Sequence, residues 1–278
     1  MPTQNEKGRI FRALHEREGA FIIPNPWDAG TARLLAQLGF EALATTSAGY
    51  AFSAGKPDHG VGRDEMIAHV ASIAGAVDLP VSGDLEDGYG DSPEEAARTI
   101  RLAAAAGLVG GSIEDGKDSA ERPIHELSFA AERVRAAAEA AHGLPFPFTL
   151  TARAENYLNG RPDLDDTIRR LQAYQEAGAD VLYAPGLRTR AEIAAVVGAV
   201  DRPVNVLMGL NGMEVSLAEL AEMGVRRVSV GGALARAALG AFLRAAEEMR
   251  SLGSFRFAED AVSSTELNRR FAPEGHED

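Results

Sequence analysis

The sequence predicts a single (β/α)8 barrel, and three observations carry that reading. A short apolar run, a polar or glycine-bearing loop and an Ala/Leu/Arg/Glu-rich segment of helical spacing alternate about eight times along the chain. The apolar runs read as buried strands, and strict βα alternation with buried strands means a parallel sheet that eight units can close on itself. The length, 278 residues, suits one such barrel of about 250 residues, and no linker or compositional break divides it.

Taken in order, strands are expected at residues 21–24, 41–46, 80–84, 110–114, 148–153, 181–184, 204–207 and 227–230. Helical patterns lie between them. In 93–106, Ala96, Ala97, Ile100, Ala103 and Ala104 recur on one face. Ser92 caps that segment, Pro93 suits its first turn, Glu94 and Glu95 sit where the helix dipole favours acids, and Gly107 follows where it should stop. Residues 167–177 repeat the pattern with Ile168, Leu171 and Tyr174. A last barrel helix is expected near 233–252. Beyond Ser251 the repeat ceases, although Phe255, Phe257, Val262, Leu267 and Phe271 punctuate a polar segment. The domain reading is therefore a catalytic barrel, 1–252, with a C-terminal extension, 253–278, packing on the barrel or on a partner subunit.

The apolar share of 45% and charged share of 25% are those of an ordinary soluble globular protein. A net charge of −13 argues against nucleic acid and anionic membranes as partners, because both require clustered cations. A small anionic substrate is still compatible, since local cations or a bound metal can invert the field inside an acidic protein. No apolar run approaches the ~18 residues of a membrane span, and the polar start is not a signal sequence, so a cytoplasmic protein is expected. The absence of cysteine removes disulfides, thiolate nucleophiles and Cys-ligated zinc.

A barrel carries its chemistry at the C-terminal ends of its strands, and here those ends are acidic. Asn25-Pro26-Trp27-Asp28 follows the first strand and Lys56-Pro57-Asp58-His59-Gly60 the second. Asp84-Leu85-Glu86-Asp87-Gly88-Tyr89-Gly90 follows the third, Glu114-Asp115 the fourth, and Arg153-Ala154-Glu155 the fifth. Asp84 and Glu86, two apart in extended chain, point to one side, as a hard divalent cation needs of oxygen ligands. Glu114 reaches the same space from the neighbouring strand. Such crowded carboxylates favour Mg2+, or Mn2+, over an empty site; the alternative is a set of helix caps and surface acids. Arg153 is either a bidentate carboxylate clamp or a structural partner for Glu155 or Glu114. Thr45-Thr46-Ser47-Ala48-Gly49 ends the second strand with hydroxyls and small residues whose amides suit a substrate oxyanion. Gly231-Gly232 admits either a phosphate cradle or plain helix-start packing.

These motifs resemble those of the isocitrate lyase and phosphoenolpyruvate mutase superfamily over residues 25–241. Asp84 to Gly90 is similar to the family's D-x-D-x-G-[YF]-G metal segment, with Pro57-Asp58-His59-Gly60, Ile113-Glu114-Asp115 and Ala152-Arg153 to Glu155 matching its other motifs in order. The resemblance implies Mg2+ held by Asp84 directly and by Glu86, Asp58 and Glu114 through waters. It implies a 2-oxo carboxylate bound by Arg153, Asp84 and the backbone of Ser47, Ala48 and Gly49, and an enolate formed while a bond at C3 forms or breaks. It further implies a homotetramer, a dimer of dimers, whose last barrel helix swaps between partners.

The departures narrow the reaction. Family lyases that cleave isocitrate or methylisocitrate carry K-[KR]-C-G-H after the fourth strand, whereas Gly116-Lys117-Asp118-Ser119-Ala120-Glu121-Arg122-Pro123 is shorter and has no cysteine. The sixth strand ends Tyr183-Ala184-Pro185-Gly186 where those lyases place a glutamate. The chain thus resembles a cysteine-free member of the family, 2-methylisocitrate lyase-like or carboxyvinyl-carboxyphosphonate phosphorylmutase-like. The expected function is a Mg2+-dependent lyase acting on an oxaloacetate-like acid by decarboxylation or C–C cleavage. Arg153, Asp58 and Glu114 are its catalytic candidates, and the proton comes from water, Tyr50, His59 or His125. The alternatives are a mutase-like P–C enzyme and a non-catalytic binder of a 2-oxo acid such as 2-oxoglutarate. Lys117, Asp118, Glu121 and Arg122 are expected to form a lid or a plain surface loop.

Overall fold

The computed structural model describes residues 2–117, 123–210 and 212–272. Eight strands form one sheet: β1 (Phe21–Ile23), β2 (Leu43–Ala44), β3 (Val81–Asp84), β4 (Gly110–Glu114), β5 (Thr149–Arg153), β6 (Val181–Tyr183), β7 (Val204–Leu207) and β8 (Arg227–Ser229). Every paired neighbour is parallel, in the order β1-β8-β7-β6-β5-β4-β3-β2. The two end strands meet through Ala44 N–H, which donates to the Pro24 carbonyl at 3.1 Å, so the barrel is nearly closed. Asn25 reinforces that seam. Its amide donates to Thr45 O at 2.9 Å, and its carbonyl oxygen accepts from Val230 and Gly231 N–H, each at 2.9 Å.

Each strand falls within its expected span, β4 and β7 end to end. The helices are α1 (Gln4–Glu16), α2 (Ala29–Gln37), α3 (Ser47–Ser53), α4 (Arg63–Ala74), α5 (Pro93–Ala105), α6 (Leu127–His142), α7 (Leu164–Glu176), α8 (Arg190–Gly198), α9 (Leu217–Glu222), α10 (Ala233–Leu252) and α11 (Ser264–Phe271). In α5 Ser92 accepts from Glu95 N–H and the Ala96, Ala97, Ile100, Ala103, Ala104 face is buried, as the spacing requires. α7 begins earlier than expected because Asp163, not a residue nearer Thr167, caps it by accepting from Asp166 N–H.

α1 opens with a capping box of Thr3 and Glu6 and lies across the N-terminal ends of the strands. Its Phe11 and Leu14 are buried with Phe21, Ile23, Ala42 and Val109 in a cluster of their own. Gly110 admits this: a Cβ there would stand 2.7 Å from the Phe11 ring. Above that cluster the barrel interior is polar. Buried Arg227 donates to Asn205 Oδ1 at 2.9 Å, to Thr151 Oγ1 at 3.0 Å and toward His15 Nε2 at 3.4 Å, all neutral partners. His15 Nδ1 lies 2.8 Å from the Phe11 carbonyl, which places the imidazole proton on Nδ1 and leaves Nε2 as the acceptor. Burial, then the Arg227 charge, push His15 down to about 3.

Packing divides the chain into Met1–Ala233 and Leu234–Asp278. Within the second unit, Glu248 accepts from Ser254 Oγ at 2.6 Å and from Arg256 N–H at 2.7 Å, folding the chain back after α10. Large apolar side chains of this unit are exposed, Phe242 at 67%, Leu243 at 64% and Phe255 at 68% among them. No described helix is long and apolar enough to cross a membrane.

Candidate active site

The residues expected at the strand ends gather at the C-terminal mouth in two joined groups. The first is built around Arg153, the last residue of β5. Its NH1 donates to Asp84 Oδ1 at 2.8 Å, NH2 pairs with Glu114 Oε2 at 3.0 Å and Nε donates to Glu155 Oε1 at 2.8 Å. Each nitrogen of the fork thus meets a different carboxylate. Asp84 also accepts from Ser47 N–H at 3.0 Å and Ser47 Oγ at 2.8 Å, while its own N–H donates to Thr45 Oγ1 at 2.9 Å. Thr46 caps α3 by accepting from Gly49 N–H, and Ala48 is half-buried beside it. The ring of Tyr183, at the end of β6, lies under the guanidinium with its centroid 5.2 Å from Cζ.

The second group is Asp58, His59 and Glu86, whose potential ligand atoms all lie within 4.8 Å of one another. His59 Nδ1 stands 3.6 Å from Glu86 Oε2, and Glu86 Oε1 is buried with no hydrogen-bond partner. Glu114 N–H donates to the Glu86 carbonyl at 3.0 Å, which joins the two groups. Three non-glycine residues here adopt left-handed backbone: His59 (φ 60°), Glu86 (φ 48°) and Tyr89 (φ 58°). Such conformations persist only where surroundings enforce them, and they concentrate at functional sites. The enforcement is visible. Arg63 donates to Gly88 O at 3.2 Å and Tyr89 O at 2.6 Å. Arg133 donates to the carbonyls of Asp87, Gly90 and Asp91, and Thr99 Oγ1 donates to Gly88 O at 2.7 Å. Neither arginine was marked by sequence reasoning, because both act through backbone carbonyls far away in the chain.

The electrostatics follow from crowding in a dry setting. Burial holds the Glu114 carboxyl well above its usual range, with the Arg153 charge opposing and Glu155 and Asp84 adding to the rise. Burial likewise raises Glu155 and Glu86, against Arg153 and His59 respectively. For Arg153 burial alone would favour the neutral form, but Glu114, Glu155 and Asp84 outweigh it and keep the guanidinium charged. The Glu86 carboxylate beside it lifts His59 to about 9.

Other expected residues lie elsewhere. Tyr50 stacks on His69 with centroids 3.7 Å apart, and its hydroxyl is 3.5 Å from Glu65, which Lys56 also meets at 2.6 Å. His125 is buried, tilted against Phe129, and pushed down to about 4 by burial. Asp28 caps α2. Gly231 N–H is taken by Asn25. Of the expected lid, Asp118, Glu121 and Arg122 fall outside the described residues, and Lys117 is half-buried at its edge. The feet of that loop are fastened together: His125 N–H donates to Asp115 O at 2.9 Å and Lys117 N–H to Pro123 O at 2.8 Å. Asp115 in turn accepts from Tyr174 Oη at 2.5 Å, Arg170 NH1 at 2.9 Å and Glu155 N–H at 2.8 Å.

Of the expected metal ligands, only Asp58 and Glu86 come close enough to share an ion among the described residues, with His59 as the third member, whereas Asp84 and Glu114 are drawn to Arg153. The oxygen donors suit a hard cation such as Mg2+, and the unpartnered Glu86 Oε1 is an acceptor that a metal-held water would satisfy. The family model described as phosphoenolpyruvate phosphomutase matches residues 11–250. Oxaloacetate decarboxylase of Pseudomonas aeruginosa is 30% identical over 276 residues, covering 97% of this chain and 92% of that protein. 2-Methylisocitrate lyase of Escherichia coli is 31% identical over 205 residues, covering 71% and 68%. A crystal structure of a lyase/mutase-like protein from Burkholderia cenocepacia superposes with TM-score 0.95 at 64% identity, covering 98% and 97%.

Proposed function

Because the chain belongs to the phosphoenolpyruvate mutase and isocitrate lyase superfamily, we propose that it is a Mg2+-dependent lyase that breaks a carbon–carbon bond in a small, oxaloacetate-like 2-oxo carboxylate. The observation that carries this reading is the convergence of Arg153 and the Ser47 amide on Asp84, beside the Asp58, His59 and Glu86 group. Similarity to oxaloacetate decarboxylase runs almost end to end, and no cysteine is present for the acid–base loop of methylisocitrate cleavage. Both favour decarboxylation over retro-aldol chemistry.

In this reading Arg153, each of whose nitrogens already meets a carboxylate, supplies the charge that draws the substrate's C1 carboxylate. At the start of α3, where the Ser47 and Gly49 N–H groups already donate to Asp84 and Thr46, the backbone of Ser47, Ala48 and Gly49 lines the side of the 2-oxo oxygen with Ala48 N–H as its donor. Asp84, with Glu86, Glu114 and Asp58 acting through waters, would hold Mg2+ or Mn2+, which supplies Lewis-acid stabilisation of that oxygen. The C3–C4 bond breaks, CO2 leaves without the bonding pair, and the pair remains as a pyruvate enolate that takes a proton at C3. His59, beside Glu86, or water delivers that proton, since the Tyr50 hydroxyl turns to Glu65 and His125 is buried against Phe129. Residues 1–252 form the catalytic barrel and 253–278 its extension. The exposed apolar face of α10 suits the homotetramer with exchanged helices that the family implies.

The test is pyruvate release from oxaloacetate with Mg2+ and with EDTA, corrected for decarboxylation by the metal alone, with phosphonopyruvate and 2-methylisocitrate alongside. Metal-dependent release from oxaloacetate, lost at least about 100-fold in Asp84→Ala, is expected. Near-normal kinetics in Asp84→Ala would refute the metal-site assignment, and turnover of phosphonopyruvate alone would replace the lyase by a P–C enzyme.

A further inference from the structure

Beneath the carboxylate cluster, one buried chain of hydrogen bonds crosses the barrel from bottom to top. Arg227 Nε donates to Asn205 Oδ1 at 2.9 Å and Asn205 Nδ2 donates to Ser229 Oγ at 2.9 Å, with Tyr183, at the end of β6, beside Ser229. A guanidinium can only donate, so it fixes the orientation of the Asn205 amide and with it the direction of every link above. All four side chains are buried, at 7% exposure or less. Beside the top of this chain stands Tyr183, whose ring faces the charged Arg153 with its centroid 5.2 Å from Cζ.

Arg153 needs such a support. Its three nitrogens are drawn sideways by Asp84, Glu114 and Glu155, which constrains the guanidinium within its plane but does little to set its tilt or height. The Tyr183 ring closes the lower face, leaving the face toward the mouth for a ligand. We propose that Tyr183 is the positioning residue of the Arg153 clamp: its ring is the platform on which the guanidinium rests, and it sets the height of the clamp below the mouth. This rests on the reading of Arg153 as the carboxylate-binding group.

The test uses oxalate, a planar mimic of the pyruvate enolate, titrated calorimetrically into the full-length protein in Mg2+, with Mg2+ titrated alone as the companion measurement. In Tyr183→Leu, oxalate affinity falls about tenfold, the scale of a partly buried cation–π contact, while Mg2+ affinity stays within about twofold. In Tyr183→Phe, which keeps the ring, oxalate affinity stays within about twofold of the wild type. Wild-type oxalate affinity in Tyr183→Leu would overturn the proposal. So would an equal loss of Mg2+ and oxalate, which marks a merely structural role. Should Tyr183→Leu fail to fold, Tyr183→Met, which keeps the bulk without the ring, decides: unchanged oxalate affinity overturns it. Absence of oxalate binding by the wild-type protein would remove the reading of Arg153 itself, and the proposal with it.

Discussion

His15 makes stability acid-sensitive by an amount the structure specifies. Its Nδ1 proton is given to the Phe11 carbonyl and its Nε2 faces the Arg227 guanidinium, so protonation would set two cations together inside the barrel. The folded state therefore holds His15 at about 3, against an ordinary 6.5 when unfolded. Between those values the unfolded chain binds a proton that the folded chain refuses. Its contribution to stability is thus complete above pH 6.5 and declines as pH falls toward 3. At pH 5, one and a half units into that window, the loss is about 2 kcal/mol at about 1.36 kcal/mol per unit. His15→Gln keeps one donor and one acceptor without a titrating group. Urea unfolding followed by circular dichroism at pH 7.5 and pH 5.0 should show the wild type losing about 2 kcal/mol more than the variant. His69 and His125, both pushed down to about 4 by burial, titrate in either protein and cancel from the difference. An equal pH decrement in the two proteins would refute the argument.

Two further outcomes follow from packing. Asp115→Ala leaves Arg170 and Tyr174 without their buried carboxylate partner and should cost about 3–5 kcal/mol, read as a lowered urea midpoint at pH 7.5; a change below about 1 kcal/mol would show that water replaces the carboxylate without penalty. Gly8→Ala places a Cβ 2.3 Å from the backbone carbonyl of Pro147, so α1 must shift, and a loss of about 1–3 kcal/mol is expected in the same melt. An unchanged midpoint would mean that α1 rides loosely on the barrel.

What was legible in the sequence is what depends on local order. Apolar runs bounded by turn residues located all eight strands, and acids two residues apart at strand ends placed Asp84, Glu86, Glu114 and Arg153 at one mouth, because in a barrel every strand delivers its end to the same face. What depends on contact across the chain was not legible. Arg63, Arg133 and Arg227 look like ordinary surface cations in a linear reading, yet two of them clamp the acidic loop by its carbonyls and the third fills the barrel interior. Tyr183 reads as an apolar strand residue, and only the facing of β5 and β6 brings its ring under Arg153. Tyr50 and His125, both reasonable proton donors by residue type, turn to Glu65 and Phe129 because the helices that carry or follow them dictate where they point.

The three left-handed residues around the acidic pocket bear on how this protein can evolve. Glycine would relieve His59, Glu86 and Tyr89 of a cost of about 1–3 kcal/mol each, and random drift toward stability would find those substitutions readily. Histidine, glutamate and tyrosine stand there instead, so each of these side chains is held at a cost to its own backbone. A library selected for thermal tolerance alone should therefore accumulate changes at these three positions first, and its fittest members by that criterion would be the poorest ligand binders.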